Sequence, residues 1–93
     1  MTDWSRPLAR HPGVIEEAVE DEVVLLMPHA GTVLVLNAVG RTIWALVDGS
    51  RPAEAIIAQI CLEYEVGHAQ AEADTHSFLK TLQARGLVAP VST

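Results

Sequence analysis

Between residues 14 and 36 the apolar positions come in short runs separated by turn-forming residues. Val14 to Val19 reads as a first short strand, and Glu20-Asp21 suits a tight turn. Glu22 to Met27 is a second strand, rich in valine and leucine. Pro28 closes it, His29-Ala30-Gly31 makes the next turn, and Thr32 to Leu36 forms a third strand. Links this short join antiparallel neighbours, so the three strands are expected to form a meander.

After Leu36 the period changes to that of helices. Asn37 suits an N-cap, and Val39, Ile43, Trp44 and Val47 fall on one helical face until Asp48-Gly49 stops the turn. A second helix opens near Pro52, a residue favoured at the first helical position, with Glu54 in the first turn. Its apolar stripe is Ala53, Ile56, Ile57, Ile60 and Tyr64, and Val66-Gly67 ends it. A third helix is expected from about Ala69 to Arg85, with Ala71, Thr75, Phe78, Leu79 and Leu82 inward and Gly86 as its stop. Leu87 to Ala89 then packs back as a short strand or wing. Strands followed by helices make an α+β domain over 14–89, a three-stranded antiparallel meander followed by three helices with a winged-helix-like trio. Residues 1–13 mix Trp4, Pro7, Pro12 and Gly13 with polar residues without a period, and are expected to form a flexible N-terminal arm.

The third strand is the informative anomaly. A meander of three has two edges, and the first strand carries Glu16 and Glu17, charges that discourage pairing with a stranger. Thr32-Val33-Leu34-Val35-Leu36 has no charge, proline or glycine, and is apolar on both faces. Such an edge is a liability unless something covers it. One occupant is an extended peptide that adds as a fourth strand; the commoner occupants are another part of the chain or a second copy of it. The third helix offers a second wall for a groove, because Asp74, Phe78 and Thr81 or Leu82 lie near one line on its surface. Taken singly, Phe78 is as readily a core residue, and Asp74 suits the early turns of a helix.

Composition narrows the classes. Of the 93 residues, 49% are hydrophobic and 19% charged, which marks a folded chain of one domain. A net charge of −6 argues against nucleic acid as a partner. There is no apolar run long enough for a membrane span and no secretory signal, so the expected location is cytoplasmic, and the single cysteine fits a reducing compartment. His11, His29, His68 and His76 form no ligand pair, Cys61 sits in a helix stripe, and there is no phosphate loop or catalytic triad. No catalysis, metal or cofactor is expected. Trp44 reads as core closure beneath the sheet, whereas Trp4 is an aromatic anchor of unassigned target.

The ordered set Val24-Leu25-Leu26, Leu36-Asn37, Gly40, Ile43-Trp44, Leu46 and Asp48-Gly49 resembles the PqqD-like family. The match continues through Ile56, Ile60, Tyr64-Glu65-Val66, Asp74, Phe78-Leu79, Leu82 and Gly86-Leu87-Val88. It spans about Val14 to Val88. The resemblance implies a precursor-peptide recognition element; a monomer is the expected state, with a homodimer paired through the third strand as the alternative. Its expected partner is the leader of a ribosomally made precursor peptide, which adds to the third strand and lies against the third helix. The implied groove is Thr32, Val33, Leu34, Val35 and Leu36 with Asp74, Phe78 and Leu82. The further partner is a maturation enzyme. In lasso-peptide pathways, the branch the Leu36-Asn37, Gly40 and Ile43-Trp44 pattern favours, this is a leader peptidase or cyclase; in pyrroloquinoline quinone synthesis it is a radical enzyme. Two residues depart from the family pattern. Pro52 stands where a threonine or serine is frequent, so Ser50 is expected to cap the second helix, and Thr75 replaces a common valine and adds polarity to groove or core. The alternative of another class is a winged-helix DNA binder, which would rely on Lys80 and Arg85.

Overall fold

A computed structural model describes residues 4–91. Its main sheet follows the expected meander: β2 (Ile15–Val19), β3 (Glu22–Met27) and β4 (Thr32–Leu36) lie in the order β2-β3-β4, all antiparallel. The preceding strand, β1 (Leu8–Arg10), belongs to a separate two-stranded sheet with β5 (Val88–Pro90). Between β3 and β4, Pro28–Ala30 forms one 3-10 turn that closes on Gly31 at φ 67°. A side chain there would be strained, which is why the turn ends on glycine.

Register sets what each face does. Leu25 stands opposite Glu16 and Leu34, and Val23 opposite Ala18 and Leu36, so these side chains share the face toward the helices. Leu25 and Leu36 are buried there. Leu26 stands between Ile15 and Val33, and Val24 between Glu17 and Val35, on the opposite face. That face is apolar and open: Ile15, Val19, Val33 and Val35 are all exposed. The excess of apolar residues in the third strand is therefore real, and one helical layer does not use it.

The helices are α1 (Ala38–Leu46), α2 (Ala53–Tyr64) and α3 (His68–Ala84). Asn37 caps α1 as expected, its side chain accepting the Gly40 N–H at 2.7 Å. The core they close contains Leu25, Leu36, Ile43, Ile56, Ile60, Leu79, Leu82 and Leu87. Trp44 is part of it, and its indole N–H donates to Glu16 at 2.6 Å. At the far end of α2 the Tyr64 hydroxyl donates to the Ala38 carbonyl at 3.1 Å, which pins α2 to the start of α1.

Two expectations change. Ser50 does not cap α2; its hydroxyl and amide both bond Asp48 Oδ1, at 2.6 and 2.9 Å. Those bonds, aided by Arg51, hold the Asp48 carboxyl below the ordinary aspartate range. Pro52 occupies the cap position without a side-chain bond, and the free Ala53 N–H donates instead to the Trp4 carbonyl at 3.3 Å.

The described part of the expected arm is also not detached. Leu8 is buried, β1 pairs with β5 in the register Leu8↔Pro90 to Arg10↔Val88, and backbone bonds run from Gly49 to Leu8 and from His11 to Leu87. Arg10 lies 4.4 Å over the Trp44 ring and donates to the Val47 and Trp44 carbonyls at the end of α1, where carbonyls run out of i+4 helical partners. Trp4 stacks on His76 of α3 with ring centroids 4.7 Å apart. A three-residue strand hemmed by Pro7 and Pro12 is too short to show alternation, so the pattern along the chain does not reveal it.

Candidate functional site

Strand β4 is an edge: β3 lies on one side of it and no described strand on the other. Which of its backbone groups face outward follows from the hairpins. The two-residue link at Glu20-Asp21 closes on the pair Val19↔Glu22, and a two-residue link requires that pair to be hydrogen-bonded. Bonded pairs then alternate, so Glu22, Val24 and Leu26 direct their N–H and C=O groups at β2, and Val23, Leu25 and Met27 direct theirs at β4. Their partners Leu36, Leu34 and Thr32 are thereby engaged. The N–H and C=O groups of Val33 and Val35 point away from the sheet. An independent contact agrees: the Val33 carbonyl accepts a bond from Arg85 Nη1 at 3.3 Å, across the outer edge.

Alongside this edge, beyond the end of β4, lies an open cleft of about 380 Å³ lined by Asn37, Val39, Gly40, Ile43, Asp74, Ser77, Phe78 and Thr81. One wall is the start of α1, the other the middle of α3. The Phe78 ring comes close to α1 because position 40 is glycine: a Cβ there would sit 3.3 Å from Phe78 Cζ and 3.2 Å from Asn37 Oδ1. Asp74 is exposed, and Gln70 donates to it at 2.9 Å.

The eight residues expected to form the groove divide by role. Val33 and Val35 supply the outward-facing backbone groups, while their side chains lie on the open face of the sheet and not in the cleft. Thr32 and Leu34 are half-buried toward the helices. Leu36 and Leu82 are core residues, 1% and 0% exposed, and their side chains do not reach the surface. Asp74 and Phe78 do line the cleft, and the third position on their helical line is Thr81 rather than Leu82. Three contributors lay outside the expectation: Asn37, read only as a cap; Gly40, which makes room for Phe78; and Arg85, considered only as a contact for DNA. For Arg85 the chain offered a local signal, a cation just before the helix-stopping Gly86, but its partner is 52 residues away.

Elsewhere the chemistry is sparse. A second cleft between Trp4, Pro52, Ile57 and α3 carries Glu54, His68, Glu72 and His76 on its rim. Among the described residues no three histidine, cysteine, aspartate or glutamate side chains converge to hold a metal ion. No described helix is long and apolar enough to cross a membrane.

Comparison with known proteins gives a consistent picture. The profile of the family described as coenzyme PQQ synthesis protein D (PqqD) matches residues 22–88. The solved structure of TbiB1 in complex with the TbiA(beta) leader peptide is similar over 91% of this chain and 99% of that one, with 34% identity and a TM-score of 0.78. A lasso peptide synthetase B1 complexed with its leader peptide shares the fold, with a TM-score of 0.79 over 90% of this chain and 99% of that one, at 21% identity. No curated protein matches the chain by sequence.

Proposed function

The chain belongs to the PqqD family, and on that premise we propose that it is a non-catalytic carrier that grips the leader of a ribosomally made precursor peptide and presents it to maturation enzymes. The observation that carries this reading is the unpaired edge of β4, with the Val33 and Val35 amides and carbonyls directed outward beside the Asp74–Phe78 cleft. An extended leader adds there as a fourth strand. Main-chain bonds to Val33 and Val35 set its register, and the cleft takes side chains just beyond the ladder.

The identity to TbiB1, at 34% over almost the whole chain, favours the lasso-peptide branch, with a leader peptidase and a cyclase as the enzymes served. The family's description keeps delivery to a radical enzyme of quinone synthesis as the second reading. In either case the protein makes and breaks no bond. It orders a flexible leader and so raises the local concentration of the attached core segment at the enzyme. DNA binding fits poorly with a net charge of −6 and with Arg85 engaged at the strand edge.

The test uses labelled leader peptides from lasso precursors, the TbiA(beta) leader among them, titrated with the protein and read by fluorescence anisotropy. At least one is expected to bind in the nanomolar to micromolar range. Val35→Pro removes an outward N–H at an edge, where proline is tolerated, so it should leave the fold intact and abolish binding. Silence from the whole panel, or binding that Val35→Pro does not weaken, overturns the proposal.

A further inference from the structure

The groove carries opposite charges at its two ends. Asp74 and Phe78 flank Asn37, just beyond the end of β4, whereas Arg85 reaches Val33 near the strand's start, so α3 runs antiparallel to β4. Positions 74 and 85 are eleven helical steps apart, about 16 Å at 1.5 Å per residue. That is roughly the length of five strand residues. An extended peptide lying on β4 therefore meets an anion at one end and a cation at the other.

Arg85 is the more telling of the two. Its guanidinium occupies the Val33 carbonyl, one of the groups a fourth strand needs as an acceptor. Among the described residues no carboxylate pairs with it, whereas Arg10 pairs with Glu16 and Arg51 with Asp48. When a strand adds, a peptide N–H takes the Val33 carbonyl and the guanidinium is displaced. It then lies beside the incoming chain with its donors free. We infer that Arg85 is a specificity residue that reads an aspartate or glutamate of the docked leader at the Val33 end of the groove.

The inference rests on the proposal that a leader adds to β4. The carboxylate replaces a neutral carbonyl as acceptor, which makes the new bond charge-assisted. Asp74 repels the same carboxylate at the far end, where it accepts instead an N–H, a hydroxyl or a cation. The two ends thus choose between the two directions in which a peptide can lie, a choice that backbone bonding at Val33 and Val35 makes only weakly. On a chain of net charge −6, Arg85 also supplies the local attraction without which an acidic leader residue is disfavoured.

The test is a pair of selections from one displayed library of random peptides, about 12 residues long so as to span the groove. One selection is made against the wild type and one against Arg85→Glu, with the fold of each confirmed by circular dichroism and melting. The wild-type pool should show aspartate or glutamate at a fixed distance from its apolar positions. The Arg85→Glu pool should lose that acid and gain lysine or arginine in its place. For a selected peptide, Arg85→Gln should weaken binding roughly fivefold, the scale of an exposed ion pair, and the gap should shrink near about 0.5 M salt. Arg85→Gln carries the comparison alone if the glutamate variant does not fold. A wild-type pool with a shared motif but no acidic position, or identical pools from the two proteins, overturns the role of Arg85 and leaves leader binding standing. The absence of any enriched motif, together with a silent lasso-leader panel, overturns both.

Discussion

Replacing Thr75 by valine should make the protein more stable. Thr75 lies on the inward stripe of α3 between Ala71 and Leu79, is 0% exposed, and its hydroxyl has no hydrogen-bond partner among the described residues. A buried hydroxyl left unbonded costs about 1–3 kcal/mol, since it gives up water and gains nothing in return. Valine keeps the branched shape, so no cavity opens, and the two residues have similar helix propensities. The expected gain is about 1 kcal/mol, at the low end because the unfolded reference recovers part of the difference. For a domain of this size that raises the melting temperature by about 4–8 °C. The measurement is urea unfolding together with thermal melting, with Thr75→Ser as control: serine keeps the hydroxyl, loses a buried methyl and should be less stable than the wild type. Because Thr75 does not line the Asp74–Phe78 cleft, leader affinity should be the same in the valine variant and the wild type. A neutral or destabilising valine would mean that the hydroxyl is satisfied in solution, and the reasoning would fail. A change in affinity would place Thr75 at the groove.

Leu8→Ala should cost about 2–4 kcal/mol in chemical denaturation, because Leu8 is 4% exposed within the shared core; a loss under about 0.5 kcal/mol, the scale of a surface change, would show that the N-terminal segment is not part of the folded unit. Gly40→Ala places a methyl 3.3 Å from Phe78 and 3.2 Å from the Asn37 cap oxygen. Alanine's better helix propensity offsets about 1 kcal/mol of that crowding, so stability should change little. The displaced ring narrows the cleft, and anisotropy titration should show several-fold weaker leader binding, whereas unchanged affinity would exclude the cleft from the site.

How much of the fold could be read from the chain depends on how local each cause is. The Asn37 cap, the stripe Ala53, Ile56, Ile57 and Ile60, and the turns at Glu20-Asp21 and Gly31 are set by neighbours within a few residues, and their elements appear where the pattern puts them. β1 was illegible for the opposite reason. The four residues between Pro7 and Pro12 have no pattern of their own, and Leu8–Arg10 become a strand only because Val88–Pro90 lie beside them. Capping of α2 shows the same limit: with Pro52 in the cap position, the acceptor comes from the backbone of Trp4, which no local rule would select.

The candidate site divides along the same line. An uncharged, apolar 32–36 segment with Glu16 and Glu17 on the opposite edge is a property of residue order alone, and it already implied an edge that something must cover. What the order of residues left undecided was which groups that edge presents. Hairpin parity turns the Val33 and Val35 backbones outward, burial takes Leu36 and Leu82 into the core, and the crossing of α1 and α3 at Gly40 builds the cleft around Phe78. Packing likewise settles that Thr75 adds its polarity to the core and that Arg85 stands at the edge of β4. Periodicity along a chain reports which side of an element is buried; distances between residues 52 positions apart exist only once the elements have docked.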